Sequence, residues 1–145
     1  MCVESVLSVG PAGPDEIGPC QAVRHEVFVV GQGVPAELEI DGRDAECVHF
    51  AARLDRRVVG TARLRDLTGD AKAERVAVLA TARGAGVGRA LMAELESAAR
   101  ARGYTSVVLS AQESVIPFYE RLGYRVESER FFEAGIPHRK MRKFF

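Results

Sequence analysis

The chain has 145 residues, 47% hydrophobic and 28% charged, with a formal net charge of zero. That length suits a single domain over residues 1–145 and suffices to bury a core without covalent staples. The charge balance argues against a nucleic-acid binder, which carries a basic excess or face, and against a polybasic membrane anchor.

The three cysteines, Cys2, Cys20 and Cys47, are odd in number and lack a CxxC spacing. They argue against a disulfide framework or a metal knuckle and read as small apolar fillers in a reducing cytoplasm. No apolar run approaches the ~18 residues of a spanning helix, and no basic-then-apolar leader opens the chain.

In chain order, Val3 to Val9 reads as a first strand and Gly10 to Pro19 as a Gly/Pro-rich loop. Gly18 to Phe28 reads as a helix. Gln32 to Glu46 is a polar, acidic stretch, long for a loop, which reads as a solvated segment or as a lure for a cationic ligand. Val48 to Leu54 and Arg57 to Arg65 form two strands around a tight Asp55-Arg56 turn, with a further turn at Gly69-Asp70. Arg75 to Ala80 is a compact apolar strand. Val87, Leu91, Met92, Leu95, Ala98 and Ala99 then mark an amphipathic helix that Gly103 stops. Thr105 to Ala111 is the next strand. Ser114 caps a short helix through Pro117, Phe118, Tyr119 and Leu122, and Gly123 ends it. Tyr124 to Glu133 is a strand, Gly135-Ile136-Pro137 a turn, and His138 to Phe144 the last strand. This order predicts one mixed, mostly antiparallel sheet of six to seven strands flanked by about four helices, an α/β (α+β) fold.

The sharpest chemical signal is Arg83-Gly84-Ala85-Gly86-Val87-Gly88-Arg89, set between a strand and an amphipathic helix. Free N–H groups at a helix start attract phosphate, and glycines let the backbone approach it. Arg83 and Arg89 add charged donors. No Gly-Lys-Ser/Thr follows, so this is not a Walker loop. The glycine spacing is also tighter than the dinucleotide fingerprint. The bland reading is a tight strand-to-helix connection with no ligand.

The turn resembles the R/Q-x-x-G-x-G/A signature of the GNAT superfamily of acyl-CoA N-acyltransferases, met by Arg83, Gly86 and Gly88. Glu74-Arg75-Val76-Ala77-Val78 is similar to that family's fourth strand. Ala111-Gln112 and Phe118-Tyr119-Glu120-Arg121-Leu122-Gly123-Tyr124 are similar to the fifth-strand end and the F-Y-x-x-x-G-[FY] block. The flanks Arg24 to Val29, Gln32 to Pro35, Asp41, His49, Glu133 to His138 and Met141 resemble the bacterial YjcF-like acetyltransferases. Gly31 departs from them, standing where an acidic residue usually precedes the Gln.

The resemblance implies splayed fourth and fifth strands with acetyl-CoA between them. Its pantetheine arm would pair with Val76, Ala77 and Val78, and its pyrophosphate would sit on the amides of Arg83 to Arg89. Ala111, Gln112 and Phe118 would line the far side. Tyr119 matches the family tyrosine that points at the CoA sulfur and is the candidate general acid. The base stays open: His138 first, then His49, the carboxylates Glu39, Asp41, Asp44, Glu46 and Glu74, or a water chain. The function implied is acetyl transfer from acetyl-CoA to a primary amine of a small molecule or peptide. No metal, nucleic acid or membrane is expected, and a homodimer could form along an exposed strand edge. The alternative is an acyl-CoA-binding sensor or interaction module without turnover. A phosphate binder unrelated to CoA is a third reading.

Overall fold

A computed structural model describes residues 6–145; the expected strand positions Val3 to Ser5 and Cys2 lie outside them. One sheet runs in the order β1-β2-β3-β4-β5-β8-β6, with β7 also paired to β8. The strands are β1 (Leu7–Pro11), β2 (Val48–Leu54), β3 (Arg57–Leu67), β4 (Asp70–Val78), β5 (Ser106–Gln112), β6 (Arg125–Val126), β7 (Phe131–Glu133) and β8 (Ile136–Phe144). Among the described residues, only β4 and β5 pair in parallel; every other pair is antiparallel. The helices are α1 (Ile17–Arg24), which continues as a π-helical turn over His25–Val30, α2 (Ala36–Glu39), α3 (Val87–Ala101) and α4 (Ile116–Arg121).

The main core lies under α3, where Leu91, Met92, Leu95 and Ala99 meet Phe50, Leu64, Ala71, Val107, Leu109 and Met141. A smaller cluster on the opposite face joins Val23 and Val27 of α1 and its extension to Ala77. Gly60 of β3 matters here. A Cβ on it would stand 2.9 Å from Val87 Cγ1, so its absence lets the start of α3 sit directly on the sheet.

Several elements differ from the sequence reading. The strand expected over Arg75 to Ala80 begins at Asp70 and stops at Val78, and Ala80–Ala82 is a 3-10 turn. Its first half alternates Ala71 and Ala73 with Lys72 and Glu74. Those two polar residues form ion pairs on the face of the sheet opposite α3 instead of marking a loop. The strand expected over Tyr124 to Glu133 is broken into β6 and β7, which brings the strand count to eight. Between them Ser128 Oγ accepts the N–H of Lys140 at 2.8 Å, replacing a ladder bond with a side chain. The last turn is Ala134-Gly135, both with positive φ, so β8 begins at Ile136 instead of His138. Ser114 does not cap α4. It lies in a 3-10 turn over Glu113–Val115, and Val115 precedes the helix. β1 extends to Pro11, and α1 starts at Ile17 inside the expected loop. The Asp55-Arg56 hairpin matches expectation, with φ of 50° and 70°.

Among the described residues, no helix is long and apolar enough to cross a membrane.

Candidate active site

β4 and β5 pair over only three positions, Ala71 with Val107, Lys72 with Val108 and Ala73 with Leu109. Beyond Ala73 they part. β5 continues to Gln112 against β8 alone, while β4 continues to Val78 against β3 alone. The departure coincides with a bulge at Arg75, which holds a left-handed φ of 54°, and with a register shift against Thr61–Arg63. A bulge bends its strand and strengthens the local twist. The result is the V-shaped opening that the resemblance implied.

At Val78 the backbone lining the V is not consumed by β3. Leu79 N–H reaches Val59 O at 2.8 Å, and Val78 lies opposite Gly60. In the antiparallel alternation, Val78 therefore turns its own N–H and C=O away from β3, toward the gap left by β5. Arg83 Nε already donates to Val78 O at 3.1 Å, tying the turn after β4 back onto the strand.

Directly above lies the glycine turn. Gly84 and Gly86 have φ of 85° and 77°, and a Cβ at either would meet nothing within 4 Å. Gly86 is the N-cap of α3 and offers no side chain to its amides. The first bond into this turn is Ala90 N–H to Gly86 O. The amides ahead of Ala90 thus face an open space at the positive end of a 15-residue helix. Gly88 serves packing: a Cβ there would lie 3.2 Å from Cζ of Phe118.

Tyr119 is on the α3 side of the sheet, 7% exposed. Its ring is tilted against Phe118 at 5.0 Å and edge-on to Tyr124 at 5.8 Å. Burial pushes its phenol well above the usual tyrosine range, so it stays protonated at neutral pH. Tyr124 is anchored in turn. Its hydroxyl donates to Glu96 at 2.8 Å, and Lys143 Nζ reaches the other Glu96 oxygen at 2.9 Å.

On the opposite face, Gln112 ends β5 directly across from His138 of β8, so the two side chains share a face. Gln112 Nε2 donates to Gln32 Oε1 at 2.8 Å, joining the loop after α1 to the V mouth. His138 is buried and stacks on Phe131. Its Nδ1 lies 2.7 Å from Ile136 O. A carbonyl only accepts, so the proton is on Nδ1 and neutral His138 keeps its lone pair on Nε2.

The other base candidates are engaged in structure. His49 Nε2 lies 2.8 Å from Asp44 O, clamping the acidic loop. That loop is largely exposed, but three of its carboxylates, Glu39, Asp41 and Asp44, are tied down. Buried Arg24 binds Glu39, and also Asp44 at 2.8 Å. Arg63, fully buried, holds Asp41 at 2.8 Å, and Asp44 and Glu74 at 2.9 Å. Its guanidinium keeps Asp41 far below the ordinary range. At Asp44 burial opposes ionisation, but hydrogen bonds from Arg24 and Arg63 prevail and hold it at about 2. At Glu74 burial is likewise outweighed by Arg63, and the net shift is downward. Such carboxylates are poor bases near neutrality. Among the described residues, Glu46 pairs only with Arg43, at the surface. Arginines inside apolar strands, such as Arg63 between Ala62 and Leu64, were the sequence signal for this network.

Residues 15–145 match the acetyltransferase (GNAT) domain model. An uncharacterized N-acetyltransferase of Bacillus subtilis named YjcF is 47% identical over 122 residues, 83% of this chain and 87% of that protein. The crystal structure of an acyl-CoA N-acyltransferase from Pseudomonas aeruginosa superposes with TM-score 0.81 at 32% identity, covering 97% of this chain and 99% of that one. A crystal structure from Lactobacillus plantarum gives TM-score 0.86 at 29% identity, covering 97% of both chains. The chain belongs to the GNAT acetyltransferases. It is an acyl-CoA-dependent N-acetyltransferase, which transfers an acyl group to an amine.

Proposed function

We propose that acetyl-CoA enters the V between β4 and β5 and that a primary amine reaches it from the α1 face. The observation that carries this reading is the parting of the two strands beyond Ala73 and Leu109, beneath an uncapped helix start. The amides of Gly84 to Arg89, with Arg83 and Arg89, hold the pyrophosphate. The β4 backbone at Val76, Ala77 and Val78 pairs with the pantetheine arm, while Ala111, Gln112 and Phe118 bound the other side.

The chain's groups divide the chemistry between the two faces. His138 Nε2 takes the amine's proton, directly or through water, leaving a neutral nucleophile. Val78 N–H stabilises the oxyanion formed when the new C–N bond closes. Tyr119 gives its proton to the thiolate as the C–S bond breaks. The product is an N-acetyl amine and free CoA. The reading takes residues 1–145 as one catalytic domain working in the cytoplasm without a metal, with a homodimer as its assembly option.

Amide hydrogen exchange tests the site. Adding acetyl-CoA should slow exchange at Val76 to Val78 and Gly84 to Arg89. Thiol release with an amine panel should accompany it. Protection confined to other segments would overturn the site assignment. Protection without thiol release from any amine would favour a non-catalytic acyl-CoA binder.

A further inference from the structure

The α1 face carries an open cleft of about 1180 Å³ between α1, with its π-helical extension, and the end of β4 with the turn after it. At one end it reaches Gly31 and Gln32, and Gln32 is the residue that bonds Gln112 across the V mouth. Three carboxylates line it: Asp15, Glu16 and Glu26. Glu16 is consumed, since its carboxylate binds the Arg53 guanidinium and Gly13 N–H. Asp15 precedes Glu26 by eleven positions, which along helical chain is about 16 Å. It sits at the far end, with the Arg56 and Arg57 hairpin. Arg83 of the same cleft is drawn to Val78 O and to the proposed pyrophosphate.

That leaves Glu26 at the end nearest the V. It is exposed, and its side chain makes no ion pair or hydrogen bond with a described residue. Gly31, whose N–H bonds Glu26 O at 3.0 Å, places no side chain between Glu26 and Gln32. The acids of the Glu39 to Asp44 loop cannot compete, because Arg24, Arg63 and Arg75 neutralise them.

We infer that Glu26 is a specificity-determining residue that binds a second, non-reacting cationic group of the acceptor, so that the preferred acceptors are diamines or longer polyamines. This rests on the reading that the amine enters from the α1 face. A cation held at Glu26 leaves the other amine free to lose its proton and attack, whereas a carboxylate pairing the reacting amine would keep it charged.

The test compares 1,4-diaminobutane with n-butylamine as acceptors in a thiol-release assay. Wild type should favour the diamine in kcat/KM, and the preference should shrink as salt rises. Glu26→Gln should lower the diamine-to-monoamine ratio roughly tenfold, the scale of losing one hydrogen bond to a charged group, mainly through KM. Asp15→Asn should leave that ratio in place. A wild type that does not favour the diamine, or a ratio unmoved by Glu26→Gln or moved equally by Asp15→Asn, would overturn the inference while the acetyltransferase reading stands. Absence of thiol release from every amine would instead remove the reading beneath it, and this inference with it.

Discussion

Phe118 lies against the bare backbone of Gly88, so close that a Cβ there would stand 3.2 Å from the ring's Cζ. The first turns of α3 and α4 therefore meet through the Phe118 ring, with no side chain from Gly88. Phe118 carries Tyr119 as its neighbour, so anything that pushes the ring also moves the phenol. Gly88→Ala should gain about 0.5–1 kcal/mol of helix propensity and lose a similar amount by displacing the ring. A Tm within a few degrees of wild type, together with a clearly lower kcat, is the expected pair of readings from calorimetry and thiol release. Unchanged kcat would show that α4 absorbs the shift without moving Tyr119.

Gly86 differs in kind, because its φ of 77° strains any side chain while the space around it is open. Gly86→Asn and Gly86→Asp are nearly equal in size, and both residues tolerate the left-handed region. Each should lose about 1 kcal/mol of stability by chemical denaturation. Only the aspartate adds a like charge beside the proposed pyrophosphate. It should weaken acetyl-CoA binding about tenfold beyond the asparagine variant in calorimetric titration. Equal affinities for the two variants would remove the phosphate from this turn.

Tyr119→Phe keeps the ring against Phe118 and Tyr124 but removes the proton. Acetyl-CoA affinity should hold while kcat falls at least about tenfold, at the low edge of general acid catalysis. Burial raises this phenol, so wild-type kcat should show no loss of the acid form up to about pH 10, its ordinary value. A pH–rate profile with a descending limb near pH 8 would point to another acid.

The loop network should fail in acid. Asp44 is lowered from 3.8 to about 2, so its contribution is present above about pH 4 and disappears as pH falls toward 2. A shift of that size corresponds to about 2 kcal/mol. Wild type should therefore lose stability steeply between pH 4 and 2, and Asp44→Asn should flatten that slope while costing stability at pH 7. Arg63→Met should cost more, because Asp41, Asp44 and Glu74 all lose their one shared buried partner and are left with Arg75, Arg24, and Arg65 with Lys72, respectively. Parallel pH profiles for wild type and Asp44→Asn would show that the pairs contribute nothing to stability.

How much of this was legible depended on how local the cause was. The glycine turn and α3 could be read because glycine and the helical repeat are visible within a few residues. The Asp55-Arg56 hairpin came from two flanking strands of matching length. The strand break at Ser128 could not be read, because a hydroxyl replaces a backbone bond to a residue twelve positions away. The parting of β4 and β5 was implied by the family resemblance but not by the residues themselves, since it turns on Arg75 adopting a positive φ that its residue type does not favour. Arg24 and Arg63 look like surface residues by type. They are buried only because the loop folds back and supplies their carboxylates from 15 to 22 positions away.

The bulge at Arg75 also has a bearing on how this strand can change length. Before it, Ala71 and Ala73 join the α3 core; after it, Val76 and Val78 do, while Ala77 turns to Val23 and Val27. The strand thus changes parity midway, and the bulge takes up the one extra residue. Removing Arg75 would cancel the bulge and restore plain alternation with Val76 and Val78 still on the α3 face, but it would take away the bend that parts β4 from β5. Related chains should vary in length at the Ser128 break, where the edge is already interrupted, and keep this interval constant to the residue.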